Sequence, residues 1–216
     1  LHRISQTFNS SLDLEEVLSR VIDEVIEITH GERGFLMLRE PDGSMAFKAA
    51  RGLDHQTIES PEFQVSRGVV ERVANEGNSI LTSDAQTEEW LSSRESVRAL
   101  NLRAILAVPM LLKEECKGVV YVDNRIQTGI FSPKDIELLE GIASSAAIAI
   151  ENARLYQVAV DKGRLERELQ VARDVQSNLI PRSTPDRAGW EFSTLWHPAR
   201  QVSGDFFDFI PLPEGR

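Results

Sequence analysis

The chain has 216 residues, 41% hydrophobic and 27% charged, enough apolar matter for one or two globular domains. The net charge is −10 and no block of five or more basic residues occurs, which argues against nucleic acid and anionic membrane as partners. The longest apolar run, Ala104 to Leu112, is about half a membrane span, and a single cysteine, Cys116, excludes an internal disulfide and points to a reducing, cytoplasmic setting.

The stretch SSLDLEEVLSRVIDEVIEIT predicts the first helix. Leu14, Val17, Leu18, Val21, Ile22, Val25 and Ile28 recur at helical spacing. Ser11 or Asp13 suits the N-cap, and Glu15 and Glu16 suit the positive end of the helix dipole. GFLML (Gly34 to Leu38) reads as a buried strand, Pro41 to Gly43 as a turn, and SMAFKAARG as the returning strand of a hairpin. Ser66 is placed to cap a short helix that stops at Glu76-Gly77. Ser79 to Leu81 reads as a brief strand. Residues 85–101, polar but holding Trp90, Leu91 and Leu100, read as a partly helical lid. AILAVPMLLKEECKGVVYVDNR gives two apolar strands around a polar turn at Glu114-Glu115. Helix, hairpin, helix, lid, hairpin, helix in that order predicts an α+β fold, a central antiparallel sheet flanked by helices.

From Ser132 to Pro181 the pattern predicts one helix about 70 Å long. Ser132 suits the N-cap, Pro133 the first turn, and Pro181 ends the helix. Its first part is Ala-rich. Its later part carries a stripe, Leu155, Val158, Lys162, Leu165, Leu169, Ala172, Gln176 and Leu179, in the alternating three-and-four rhythm of a coiled coil. A helix of this length outgrows a domain of this size, so the stripe predicts a parallel homodimer rather than packing on its own domain. After Pro181, WEFSTLWHPA and SGDFFDFIPL read as two strands with a turn at Pro213 to Gly215, too little to bury a core of their own.

Residues from about 10 to 156 resemble a GAF domain. The resemblance lies in LDLEEVLSRVIDEVIEITHGERGFLML, AVPMLLKEECKGVVYVDNR and FSPKDIELLEGIASSAAIAIENARLY. It implies a module that senses a small molecule or a protein partner and dimerises through its terminal helices. Residues from about 165 to 216 resemble the entry into stage II sporulation E-type phosphatases, metal-dependent serine/threonine phosphatases of the PPM class. The carriers are RELQVARDVQSNLIPRSTPD and PARQVSGDFFDF, with Ser203 and Phe207 standing where the family's pattern has Gly and Tyr. The resemblance implies that Asp205, and after it Asp208, are ligands of a paired Mn²⁺ or Mg²⁺ centre in the complete enzyme. Such a centre generates hydroxide and clamps a phosphoryl group. It also implies a phosphoprotein substrate of the anti-sigma-factor-antagonist type. The family's next metal motif would lie beyond Arg216. This predicts a truncated, inactive entry into the phosphatase with no metal of its own, and Leu1 likewise predicts a missing upstream region.

The expected organisation is therefore a GAF domain over residues 1–150, a signalling and dimerisation helix over 133–180, and an incomplete phosphatase start over 181–216. By the GAF resemblance Val69, Ile80, Asp84, Leu91 and Leu100 line a ligand pocket, although a filled core is equally compatible. NRIQTGIFSPKD is similar to the motif of cyclic-nucleotide-binding GAF domains, matching at Asn124, Arg125, Phe131 and Asp135. The plainer reading is a structural clip, with an Arg125–Asp135 ion pair tying a strand end to the long helix. Cys116 beside Glu114 and Glu115 is no reactive thiol, and the four scattered histidines have no metal-ligating spacing. The implied function is sensing at the GAF domain, transmitted along the helix seam that contains Lys162 and Gln176 to a phosphatase. A cyclic-nucleotide receptor and a ligand-free dimerisation module are the alternatives.

Overall fold

The computed structural model describes residues 11–52, 54, 56–60 and 65–212. The expected turn at 213–215 and everything before residue 11 lie outside these. Ten elements run in order: α1 (Leu14–Thr29), β1 (Arg33–Arg39), β2 (Met45–Gly52), α2 (Arg67–Glu76), β3 (Ile80–Thr82), α3 (Glu89–Ser92), α4 (Glu95–Ala99), β4 (Ala104–Leu112), β5 (Glu115–Asn124) and α5 (Pro133–Leu179). The contacts divide the chain into two units, 1–156 and 157–216.

In the first unit five strands form one antiparallel sheet in the order β2-β1-β5-β4-β3. The central strands are apolar on both faces, so both faces must be covered. One face takes α1 and the first part of α5. Val17, Val21, Ile22 and Val25 of α1 and Leu139, Ile142, Ala143 and Ala146 of α5 pack there on Leu36, Leu106, Val108, Val120 and Val122. The other face takes α2 and the lid. There Val69, Val73, Leu91, Val97 and Leu102 pack on Phe35, Met37, Ile105, Ala107, Val119 and Tyr121.

The helix ends obey local chemistry. Asp13, not Ser11, caps α1, its carboxylate accepting from the amides of Glu15 (2.9 Å) and Glu16 (3.1 Å). Ser11 instead accepts from the Asp13 amide and donates to Glu16. Ser66 holds the N-cap position of α2, but its hydroxyl makes no capping bond and is buried without a partner. Gly77 closes α2 at φ +68°, where its amide reaches the Val73 carbonyl at 3.0 Å.

The second unit holds the end of α5 and the segment after it. No strand forms between 190 and 212, only an isolated bridge from Arg187 to Trp190. The two expected strands do not form because a strand is stable only beside a neighbour that takes its hydrogen bonds, and none of the described residues supplies that ladder. The segment is held by an aromatic chain running Trp190, Phe192, Phe209, Phe207 at centroid separations of 5.9–6.4 Å. Leu195 is 92% exposed and Phe206 72%. No helix among the described residues is long and apolar enough to cross a membrane.

Gly118 in β5 has no room for a side chain. It pairs with Leu38 on β1 and Met110 on β4, and a β-carbon there would stand 2.3 Å from the Met37 carbonyl oxygen. Gly118→Ala should therefore cost about 1–3 kcal/mol of stability, read as a lower urea midpoint at unchanged slope.

Candidate functional site

The lid-facing side of the sheet carries a buried polar cluster. Arg33 at the start of β1 stands opposite Asp123 near the end of β5. The guanidinium donates to the carboxylate through Nε (2.8 Å) and Nη2 (2.6 Å), and both side chains are nearly or fully buried. Two polar side chains in one apolar layer survive only as such a forked, charge-assisted pair. Arg33 also lies 5.4 Å over the Phe35 ring, which meets Tyr121 edge-on. The Tyr121 hydroxyl is fully buried and faces Asp123 and the Ser66 backbone without meeting hydrogen-bond geometry with either. Burial, and secondly the Asp123 charge, hold its pKa well above the usual value. Burial likewise raises Asp123 to about 6, against the opposing pull of Arg33.

A separate cavity of about 650 Å³ opens between the β1–β2 hairpin and α2. Met37, Met45, Phe47, Val65, Val70 and Ala74 give it an apolar lining, and Arg39, Arg67 and Glu71 bring charge to it. Arg39 is held rigidly, its Nη2 donating to the Ala74 carbonyl at 2.6 Å. Its Nε–H is buried and has no partner. A cavity of this size with an apolar lining and an unsatisfied cationic donor has the composition of a small-ligand site.

The GAF domain model matches residues 13–150, well over half of the chain. This chain belongs to the GAF domain family. It is similar to the Nif-specific regulatory protein of Herbaspirillum seropedicae, 25% identical over 82% of this chain and 33% of that protein. It is also similar to Protein IcfG of Synechocystis, 37% identical over 33% of this chain and 12% of that protein. The chain thus spans a third or less of the length of these relatives. Among solved structures, residues 122 to 287 of a methyl-accepting chemotaxis protein superpose with a TM-score of 0.57 at 22% identity, covering 71% of this chain and 98% of that one. That likeness shows the fold.

Within the GAF domain the structure places each of the five residues expected to line a pocket. Val69 and Leu91 are fully buried core, with Ile80 and Leu100 packed against it. Asp84 forms an ion pair with Arg103 at 3.3 Å. None of the five lines the 650 Å³ cavity, which lies between the hairpin and α2, and Leu91 is packed into the core beneath the lid, the filled arrangement that the sequence left equally open. Trp90 ties the lid to α2 through the Arg72 guanidinium, 4.7 Å over its ring, and meets two residues of the lid itself, donating to Glu88 at 3.1 Å and lying 5.7 Å from the Arg94 guanidinium.

The expected Arg125–Asp135 pair is also corrected. Arg125 donates from its backbone amide and its guanidinium to Glu32, which the Glu32 amide bond to the Asp123 carbonyl holds beside the end of β5. Asp135 turns back on Ser132, accepting from its amide and hydroxyl at 2.7 Å each, so it secures the start of α5. Asn124 accepts from the amides of Ile126 (2.9 Å) and Gln127 (2.6 Å), closing a turn, and Phe131 is buried against the α1–α5 layer. Arg125 therefore ties the end of β5 to the residue before β1 through Glu32, which sequence spacing did not single out, and not to α5.

In the second unit Asp205 and Asp208 are both exposed. Asp208 accepts from the Phe209 amide, and no group of three or more His, Cys, Asp or Glu among the described residues could hold a metal ion. Two solvated carboxylates without a third donor do not fit a Mn²⁺ or Mg²⁺ centre by themselves. Of the stripe on α5, Leu155, Val158, Leu165 and Leu179 are 53–71% exposed, Ala172 is exposed and Leu169 is half-buried.

Removing one partner of a buried ion pair strands the other charge. Arg33→Met should cost about 3–5 kcal/mol, and Arg33→Met with Asp123→Leu should recover most of it, measured by chemical denaturation. The folded pKa of Asp123, about 6, stands above its usual 3.8, so the stability contributed by the carboxyl is full below about pH 4 and is lost as pH rises through 6. Urea unfolding across pH 4–7 should show the wild type losing stability relative to Asp123→Asn up to about pH 6 and running parallel above it.

Proposed function

We propose that this chain is the regulatory sensor region of a signalling protein, and that its GAF domain takes a small anionic molecule with an apolar body into the cavity between the β1–β2 hairpin and α2. The observation that carries the reading is Arg39, a cavity-lining residue whose buried Nε–H has no partner, beside Met37, Met45, Phe47 and Val70, with Arg67 as a second cation in the lining. An ionised carboxylate is the acceptor that best satisfies a buried guanidinium, and the apolar lining takes the rest of the ligand. The relative from Herbaspirillum seropedicae is named as a regulatory protein, which supports a sensing role.

The signal would pass along α5 through a second copy of the chain. The exposed stripe from Leu155 to Leu179 supports a parallel homodimer, with Lys162 and Gln176 as polar positions that set register. The finer part of the reading is control of a Mn²⁺- or Mg²⁺-dependent phosphoserine or phosphothreonine phosphatase in the cytoplasm. It rests on the resemblance of Pro198 to Asp208 to that family. A cyclic-nucleotide receptor has less support, because Asn124, Arg125 and Asp135 spend their polar atoms on the turn, on Glu32 and on Ser132.

Two experiments test this. In a thermal-shift screen, small aryl or branched aliphatic carboxylates such as phenylacetate should raise the melting temperature, and their neutral amides should not. Arg39→Gln should abolish the shift while leaving the unliganded melting temperature close to wild type. Equal shifts from acid and amide would sink the anion assignment, and cyclic AMP or cyclic GMP as sole stabiliser would replace it with the nucleotide reading. For the phosphatase, any longer product that contains this chain should release phosphate from a phosphoserine protein with Mn²⁺. Asp205→Ala should lose that activity at least 100-fold, and absence of Mn²⁺- and Mg²⁺-dependent release removes the phosphatase from the proposal.

A further inference from the structure

The end of α5 carries a contact that the coiled-coil rhythm does not anticipate. Gln176 occupies the same heptad position as Leu155, Lys162 and Leu169, the position whose side chain points at its counterpart in a parallel helix pair. In the second unit the Gln176 amide is already used. Its Nε2 donates to the carbonyl oxygen of Ser203 at 2.7 Å, and its Oε1 accepts from the amide of Ser203 at 2.9 Å. The side chain therefore holds the Ser203 backbone in both directions, as a neighbouring strand would, and both residues are part-buried by the contact.

Ser203 is not an arbitrary partner. Its hydroxyl accepts from the Asp205 amide at 3.2 Å, and the Asp205 carbonyl accepts from the Trp196 indole at 3.0 Å. The segment that carries Asp205 is thus tied to the helix seam at residue 176. A chain crossing the seam there fills the volume that a second helix would need. The Gln176 amide keeps one N–H and one lone pair beyond the Ser203 pair, so the exclusion is one of space: the Ser203 backbone occupies the side of the helix that a second α5 would cover. Upstream, Leu155, Val158 and Leu165 remain exposed and free of such a cover.

We propose that Gln176 is a competitive latch: it holds the Ser203 backbone in the single chain, and pairing of two α5 helices through residue 176 takes the same position and releases the Ser203–Asp208 segment. The proposal rests on the two-chain reading of the stripe. Pairing can begin at Leu155 without disturbing the latch and meets it near the Leu179 end of the helix. Because the two states exclude each other, whatever tightens helix pairing loosens Ser203 by the same factor, and a ligand that holds the Asp205 segment would weaken pairing.

The test combines sedimentation equilibrium with hydrogen exchange at the Ser203 amide, whose acceptor is Gln176 itself. Wild type, Gln176→Ala and Gln176→Leu are compared, with circular dichroism to confirm that helix content is retained. In the wild type, Ser203 protection should fall as concentration rises through the dimerisation range. Gln176→Ala should exchange Ser203 at least 10-fold faster at low concentration. Gln176→Leu should do the same and dimerise at least 10-fold more tightly, since an apolar residue then continues the seam. A concentration-dependent dimer in which Ser203 stays protected overturns the competition alone. A chain that is monomeric at every concentration, wild type and Gln176→Leu alike, overturns the two-chain reading and the latch with it.

Discussion

The structure depends on one constraint: strand β5 is buried on both faces. Val120 and Val122 point into the α1–α5 layer, and Val119 and Tyr121 into the α2–lid layer. An antiparallel sheet often leaves one face to water. This one cannot, so it recruits cover from both ends of the domain. The helix before the first hairpin and the helix after the last are brought together on one side. The segments between the hairpins are left to cover the other.

That division explains the two characters of α5. Over its buried part, Ala143, Ala146, Ala147, Ala149 and Ala153 let the helix approach the sheet closely, with Leu139, Ile142 and Ile150 filling the larger gaps. From Leu155 onward the same helix carries large apolar residues into solvent. Packing against its own sheet is finished by Ala153, so the apolar stripe beyond that point has a cause other than the GAF core. The buried charge at Arg33 and Asp123 has a related origin. It sits where the apolar strands end but the layers above still exclude water, and pairing makes the burial tolerable without making it favourable.

What the sequence made legible was whatever a short period or a single strong residue encodes. The three-and-four spacing of Leu14 to Ile28 gave α1. The unbroken apolar runs gave β4 and β5, and Ser132-Pro133 and Pro181 bracketed α5 to within two residues. What stayed hidden depends on contacts between distant residues. Arg33 and Asp123 are 90 residues apart, and Arg125 and Glu32 are 93 apart. Nothing in local spacing pairs them, although a lone Arg opening one apolar strand and a lone Asp closing another was a signal available to be read. Asp135 reads as a partner for Arg125 only because it lies close along the chain. The helix start at Ser132 had the nearer claim. Leu91 and Val69 have the composition of a pocket lining and of a core alike, and only the height of the lid above the sheet separates the two. The aromatic stretches Trp190 to Trp196 and Phe206 to Phe209 have strand propensity, yet propensity without a paired neighbour left them irregular.

The position of Trp90 gives the lid an optical signature. The chain has three tryptophans, Trp90, Trp190 and Trp196, and only the first belongs to the unit that ends at Tyr156. Its indole meets the guanidiniums of Arg72 on α2 and Arg94 at the start of α4, with its N–H on Glu88. Indole emission responds to nearby charge and to water. Any event that lifts residues 89–99 from α2 and the sheet would part the ring from Arg72 and wet it, while Arg94, on the same segment, travels with it. With the two later tryptophans replaced by phenylalanine, the colour of a single residue would report whether the lid is down.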